Sequence, residues 1–142
     1  MRRGHTLFEL CAALLVAAIA ASALLPAGRS LLDHMAVVAA REAVAGLVAE
    51  ARMAALEHGG ARVRLEAAPW RGWLEIGDSV ARAVPLEEDL RVVVALGRSR
   101  TSVTLEYDAM GLGRVASETL RFRRGTQEST LIISGYGRVR RP

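Results

Sequence analysis

Lysine is missing altogether from the 142 residues, and all 19 basic side chains are arginine. Arginine and lysine differ physically mainly at bidentate or stacked sites, so the bias reads first as one of composition. Cysteine is nearly as scarce. The single Cys11 lies in an apolar run, so the chain makes no internal disulfide, and an oxidising compartment is neither required nor excluded. Aromatic residues are 4% of the total, which leaves Val, Leu, Ile and Ala to build the core. His34 and His58 have no cysteine or second histidine at ligand spacing, so no metal site is expected. There is no Gly-x-Ser-x-Gly nucleophile elbow. Gly111-Leu112-Gly113 lacks a phosphate-loop context and reads as a turn. These absences point away from an enzyme and from a cofactor.

What the sequence has in quantity is apolar chain at its N-terminus. Thr6 to Leu25 is 20 residues, about 30 Å as a helix at 1.5 Å per residue, which matches a bilayer core. Arg2 and Arg3 precede it and no basic residue follows until Arg29. The positive-inside rule then puts the N-terminus in the cytoplasm and the rest outside it. A secretory signal peptide is the rival reading, with Ala21-Ser22-Ala23 as a small-residue cleavage site. Against it stands Glu9, a carboxylate at the mouth of the apolar segment that costs a few kcal/mol in a bilayer and gives such a signal no advantage.

Beyond this segment Pro26 and Gly28 are expected to interrupt or kink the helix. Val37, Ala40, Val44, Leu47 and Ala51 then recur at intervals of three and four, an amphipathic helix that Gly59-Gly60 ends. From Ala61 the period becomes two. Val63 and Leu65, Leu74 and Ile76, Val103 to Tyr107, and Leu120 and Phe122 alternate with polar residues, Leu90 to Leu96 reads as a more buried strand, and Leu131 to Ile133 and Tyr136 to Arg140 complete the set. Turns are expected at Pro69 to Gly72, flanked by Trp70 and Trp73, at Met110 to Gly113, and at Gly125-Thr126. About seven strands and no second long helix predict an α+β fold: a long N-terminal transmembrane and amphipathic helix packed on a mostly antiparallel, sandwich-like sheet domain.

The residues Gly4-His5-Thr6-Leu7-Phe8-Glu9, with Pro26 downstream, resemble the N-terminus of a type IV prepilin or type II secretion pseudopilin. The resemblance implies cleavage after Gly4 and N-methylation of His5 by a prepilin peptidase and methylase. Thr6, Leu7, Glu9 and Pro26 then fall where that family places them, and His5 stands where it usually has a bulky apolar residue. Leu47 to Arg52, Trp70 to Trp73 and Ser134 to Arg140 narrow the likeness to the GspH/FimT branch of minor pseudopilins, with a pilin-like fold. The implied organisation is a leader over 1–4, a transmembrane helix over 5–25, its amphipathic continuation over 26–60 and a β domain over 61–142. The implied place is the inner membrane, single-pass, with the β domain in the periplasm and later in a filament. The implied partners are other pseudopilins or minor pilins and secreted protein cargo. Glu9 would pair with the amine of His5 in a neighbouring subunit, and a paired charge can fix the register between helices.

Charge is unevenly spread. From Thr119 onward there are six arginines against one glutamate, +5, whereas His5 to Glu118 carries eleven arginines and fourteen acids, −3. If Tyr136 to Arg140 is a strand, Tyr136, Arg138 and Arg140 share a side, with Arg121, Arg123, Arg124 and Arg141 as further candidates for a DNA or partner surface. Gly137-Arg138-Val139-Arg140 matches a Gly-Arg-x-Arg motif that in FimT-like minor pilins is associated with DNA binding during natural transformation. A solvated strand edge, where arginine discourages edge-to-edge pairing, is the plainer reading. The expectation is therefore a minor pseudopilin of a type II secretion system at a pseudopilus tip, with a DNA-binding, FimT-like pilus subunit as the alternative.

Overall fold

A computed structural model describes residues 7–67, 69–114 and 117–142. The chain divides into two compact units, Met1–Leu32 and Asp33–Pro142. One helix, α1 (Leu7–His58), runs through both with Pro26 inside it. The expected interruption at Pro26 and Gly28 does not break the helix: proline removes one hydrogen bond, and the remaining ladder carries the helix across. The helix stops where a left-handed residue is needed, at Gly59 with φ +80°.

Among the described residues of Asp33–Pro142, eight strands form two antiparallel sheets. β1 (Gly60–Ala67), β2 (Trp70–Ile76), β3 (Ser79–Pro85) and β5 (Ser102–Asp108) make one, in the order β3-β2-β1-β5. The other contains β4 (Val93–Leu96), β6 (Glu118–Arg124), β7 (Gln127–Ile133) and β8 (Val139–Arg140), in the order β4-β6-β7-β8. The helical stripe read from the sequence is the buried face of α1: Val37, Ala40, Val44, Leu47 and Ala51 join the inward residues of both sheets in one core. Leu47 reaches Gly72 so closely that a Cβ there would lie 3.0 Å from it.

Several expectations are corrected. The turn before β2 involves Pro69, and Trp70, Arg71 and Gly72 are already strand. Trp70 and Trp73 are three apart on that strand and so point to opposite faces. Trp70 is buried in the core; Trp73 is half-buried outside it, with the Arg64 guanidinium 5.9 Å from its ring centroid. The run Leu90 to Leu96 is not one buried strand. Leu90 ends a short helix, α2 (Leu86–Leu90), Arg91 caps it in the left-handed region at φ 50°, and β4 is an edge strand with Val93 67% exposed. β3, with five of its seven residues exposed, has no counterpart in the sequence reading.

Candidate functional site

The first part of α1 shows its apolar side chains to the outside. Leu7 and Phe8 are each 81% exposed, and Leu14, Leu15, Val16 and Ile19 are all exposed as well. Such a surface is far outside what a soluble helix carries, and the segment is long and apolar enough to cross a membrane. Glu9, in the first turn, is the only charged residue from Leu7 to Gly28. Lower down, Ser22 Oγ donates to the Ile19 carbonyl at 2.7 Å. Pro26 has no N–H for the carbonyl four residues before it. Gly4 and His5, the expected processing site, lie outside the described residues.

The C-terminal candidates do not form one cluster. Residues Gly135 to Gly137 are a turn, and β8 is only Val139–Arg140, so Tyr136, Arg138 and Arg140 do not share the side of a strand. The turn is closed by Gly137 N–H donating to the Ser134 carbonyl at 2.8 Å and Arg138 N–H to Ser134 Oγ at 3.1 Å. Gly137 has φ +76°, and a Cβ on it would lie 2.6 Å from the Tyr107 ring, so close approach and backbone both require glycine. Tyr136, 73% exposed, and Arg138 border a shallow depression with Arg52 and Leu112. Arg141 turns back onto α1 and grips Glu42 with both arms of its guanidinium, Nε to Oε1 at 3.0 Å and Nη2 to Oε2 at 2.9 Å. Arg41 Nε reaches the same carboxylate at 3.0 Å. The hydrogen bonds from Arg141 and then Arg41 hold the Glu42 carboxyl below its ordinary value, and Glu42 raises that of Arg141.

Arg121 and Arg123 sit elsewhere, on the outer face of β6, because Leu120 and Phe122 take the inner one. Their cross-strand neighbours on β4 are Ala95 and Val93. With Arg91 they border a groove of about 550 Å³ that also includes Glu128. Arg91 went unnoticed in the sequence because it seemed to belong to the Leu90–Leu96 strand; the acid-rich Glu87-Glu88-Asp89 before it was the available sign of a helix end. Arg124 is engaged otherwise, donating to the Leu90 carbonyl at 2.7 Å and pairing with Asp33 at 2.8 Å. A second hollow, of about 440 Å³, lies by His58 and Asp108, but there Arg62 pairs with Glu106 and Arg114 with Asp108, each at 3.5 Å. Among the described residues no group of three or more His, Cys, Asp or Glu could hold a metal ion.

No protein-family model and no curated protein sequence matches the chain. Similarity lies in the fold. The type IV minor pilin FimU of Pseudomonas aeruginosa superposes with a TM-score of 0.60 at 12% identity, covering 75% of this chain and 87% of FimU. A second crystal form of FimU gives 0.58 at 13% identity, covering 73% and 90%. The fold is thus pilin-like α+β, a long N-terminal helix with antiparallel sheets.

Proposed function

We propose that this chain is a minor structural subunit of a type IV pilus-like filament, and specifically a minor pseudopilin of a type II secretion system. The observation that carries the reading is the contrast along α1: apolar side chains exposed from Leu7 to Ile19, then a stripe from Val37 to Ala55 buried under two sheets. The first stretch suits hydrocarbon or the packed helices of a filament, and the second builds a folded domain. Before assembly the segment anchors the subunit in the inner membrane with Asp33–Pro142 on the periplasmic side. Cleavage after Gly4 and methylation of His5 belong to a separate peptidase and methylase. In the filament, which gathers other pseudopilins or minor pilins, Glu9 pairs with the His5 amine of a neighbour and sets the stagger between subunits. The likeness to a type IV minor pilin supports the filament reading at the level of fold.

Replacing Glu9 tests it. Glu9→Ala is expected to keep the protein in the membrane fraction, since one charge fewer eases insertion, and to lower its recovery with the other filament subunits at least about ten-fold, as for loss of one charged pair. Unchanged co-assembly would remove Glu9 from this role.

The alternative, a FimT-like pilus subunit that takes up DNA, draws on Tyr136, Arg138 and Arg140, which are exposed and, among the described residues, have no carboxylate within ion-pair distance of either arginine. Arg141 counts against it, because Glu42 already neutralises that guanidinium. A gel shift at rising salt separates the two: phosphate contacts weaken steeply, and no binding at low salt leaves the secretion reading alone.

A further inference from the structure

We infer that the groove between β4 and β6, bordered by Arg91, Arg121 and Arg123, holds an anionic phospholipid headgroup at the membrane surface from which the chain enters its folded domain. The inference rests on the membrane-anchor reading of α1. Three observations lead to it.

The first is unspent charge. Arg62, Arg64, Arg71, Arg82 and Arg100 each have a carboxylate partner, whereas Arg91, Arg121 and Arg123 have none within ion-pair distance among the described residues. Two acids stand near them: Glu128, opposite Arg123 on β7, and Asp89, two residues before Arg91. The border stays net positive against Glu128 alone, and counting Asp89 still leaves three cations to two anions. A guanidinium fork matches the paired oxygens of a phosphate, so the missing counter-charge is one that a phosphodiester supplies.

The second is the floor. Val93 and Ala95 are exposed between the arginines, so the groove combines a basic border with an apolar base. That combination suits the boundary between headgroup and acyl chain. A nucleic-acid backbone would gain nothing from Val93.

The third is position. Arg124 pairs with Asp33, and a Cβ on Gly125 would lie 2.6 Å from the Asp33 carboxylate, so this end of β6 packs on the first residue of the domain. The apolar run ends at Leu25, and the seven residues Pro26 to Leu32 reach at most about 25 Å even fully extended. Chain length alone thus bounds the distance of Asp33 from the apolar run, and Arg124 and Gly125, which line one end of the groove, lie against Asp33. Tyr136 and Arg138 stand beside Arg52, which is about five helical turns further along α1 than Asp33.

The test uses the full chain in lipid nanodiscs of phosphatidylcholine alone or mixed with phosphatidylglycerol, read by amide hydrogen exchange. Exchange over 91–96 and 119–126 should slow by about five-fold or more in the anionic discs, the effect of one basic residue at an anionic surface. The slowing should vanish in high salt and in the double variant R91Q/R123Q. Exchange of β1 and β7 in that variant shows whether it is folded, and the comparison of lipids with the unaltered chain needs no variant at all. Equal exchange in the two lipids, with the chain firmly in the discs, overturns the headgroup site and leaves the anchor standing. A chain that washes out of the discs overturns both. Slowing over the same segments by a short DNA duplex in neutral discs, with none from phosphatidylglycerol, overturns the site in favour of nucleic acid.

Discussion

Tyr107 carries a buried hydroxyl with no hydrogen-bond partner among the described residues, and burial pushes its pKa from 10.0 to about 12, the nearby Arg52 charge pulling the other way. Because the folded-state value lies above the unfolded one, stability is unaffected by this group's titration below pH 10 and falls as pH rises from 10 towards about 12. Tyr107→Phe should therefore flatten the alkaline limb of the stability curve and, by removing an unsatisfied polar group, raise stability at pH 7 by about 1 kcal/mol. Denaturant titrations at pH 7 and above pH 10 check both. The same ring sits under Gly137. Gly137→Ala combines left-handed backbone with a contact of 2.6 Å and should cost about 1–3 kcal/mol, seen as a lower melting temperature. In the sequence Gly137 stood out as part of a basic motif. That it lies against Tyr107 was not visible there, because the two are brought together only by the fold.

Among the elements, α1 was the most legible. Its apolar spacing from Val37 to Ala51 and the glycine pair after it reported the buried face and the end of the helix directly. β1, β5 and β6 were legible for the same reason, since each has one face in the core and alternates accordingly. β3 and β4 were not. β3 has five of its seven residues exposed and so carries no apolar alternation, while β4 buries Val94 and Leu96 but has apolar Val93 and Ala95 on its outer face as well, which hides the period of two. Tyr136 to Arg140 misled in the opposite sense, alternating across what is mostly a turn. The two parts of α1 should also respond differently to the same chemical change. Leu47→Ala empties fully buried space and should destabilise Asp33–Pro142 by about 2–5 kcal/mol, whereas Leu14→Ala should leave its unfolding transition where it was. Thermal unfolding of the two variants side by side makes the comparison.

At the scale of the whole molecule, the core lies within one unit: among the described residues every buried apolar side chain falls between Ala36 and Ile133. A chain beginning at Gly28 should accordingly be soluble and melt at the same temperature as the domain of the full protein in detergent; a collapse in melting temperature would mean that the N-terminal segment contributes to the fold. What the sequence could not convey at this scale is the distribution of its arginines. Counting gave a basic C-terminal end of +5, but folding disperses it: Arg141 to Glu42, Arg124 to Asp33, Arg121 and Arg123 to the outer face of β6. Linear charge density is a poor guide once antiparallel strands turn neighbours in sequence to opposite faces.

The uninterrupted passage of α1 into the core has a mechanical side. On the proposed filament role, a pull on the N-terminus reaches the domain through α1, one face of which is buried from Ala36 to Ala55. Pulled that way, the contacts from Val37 to Ala55 are loaded in shear and must yield together. A force on an edge such as β3 would instead break the ladder one pair at a time, as a zip opens. On the proposed role, the domain would be loaded in its more resistant direction.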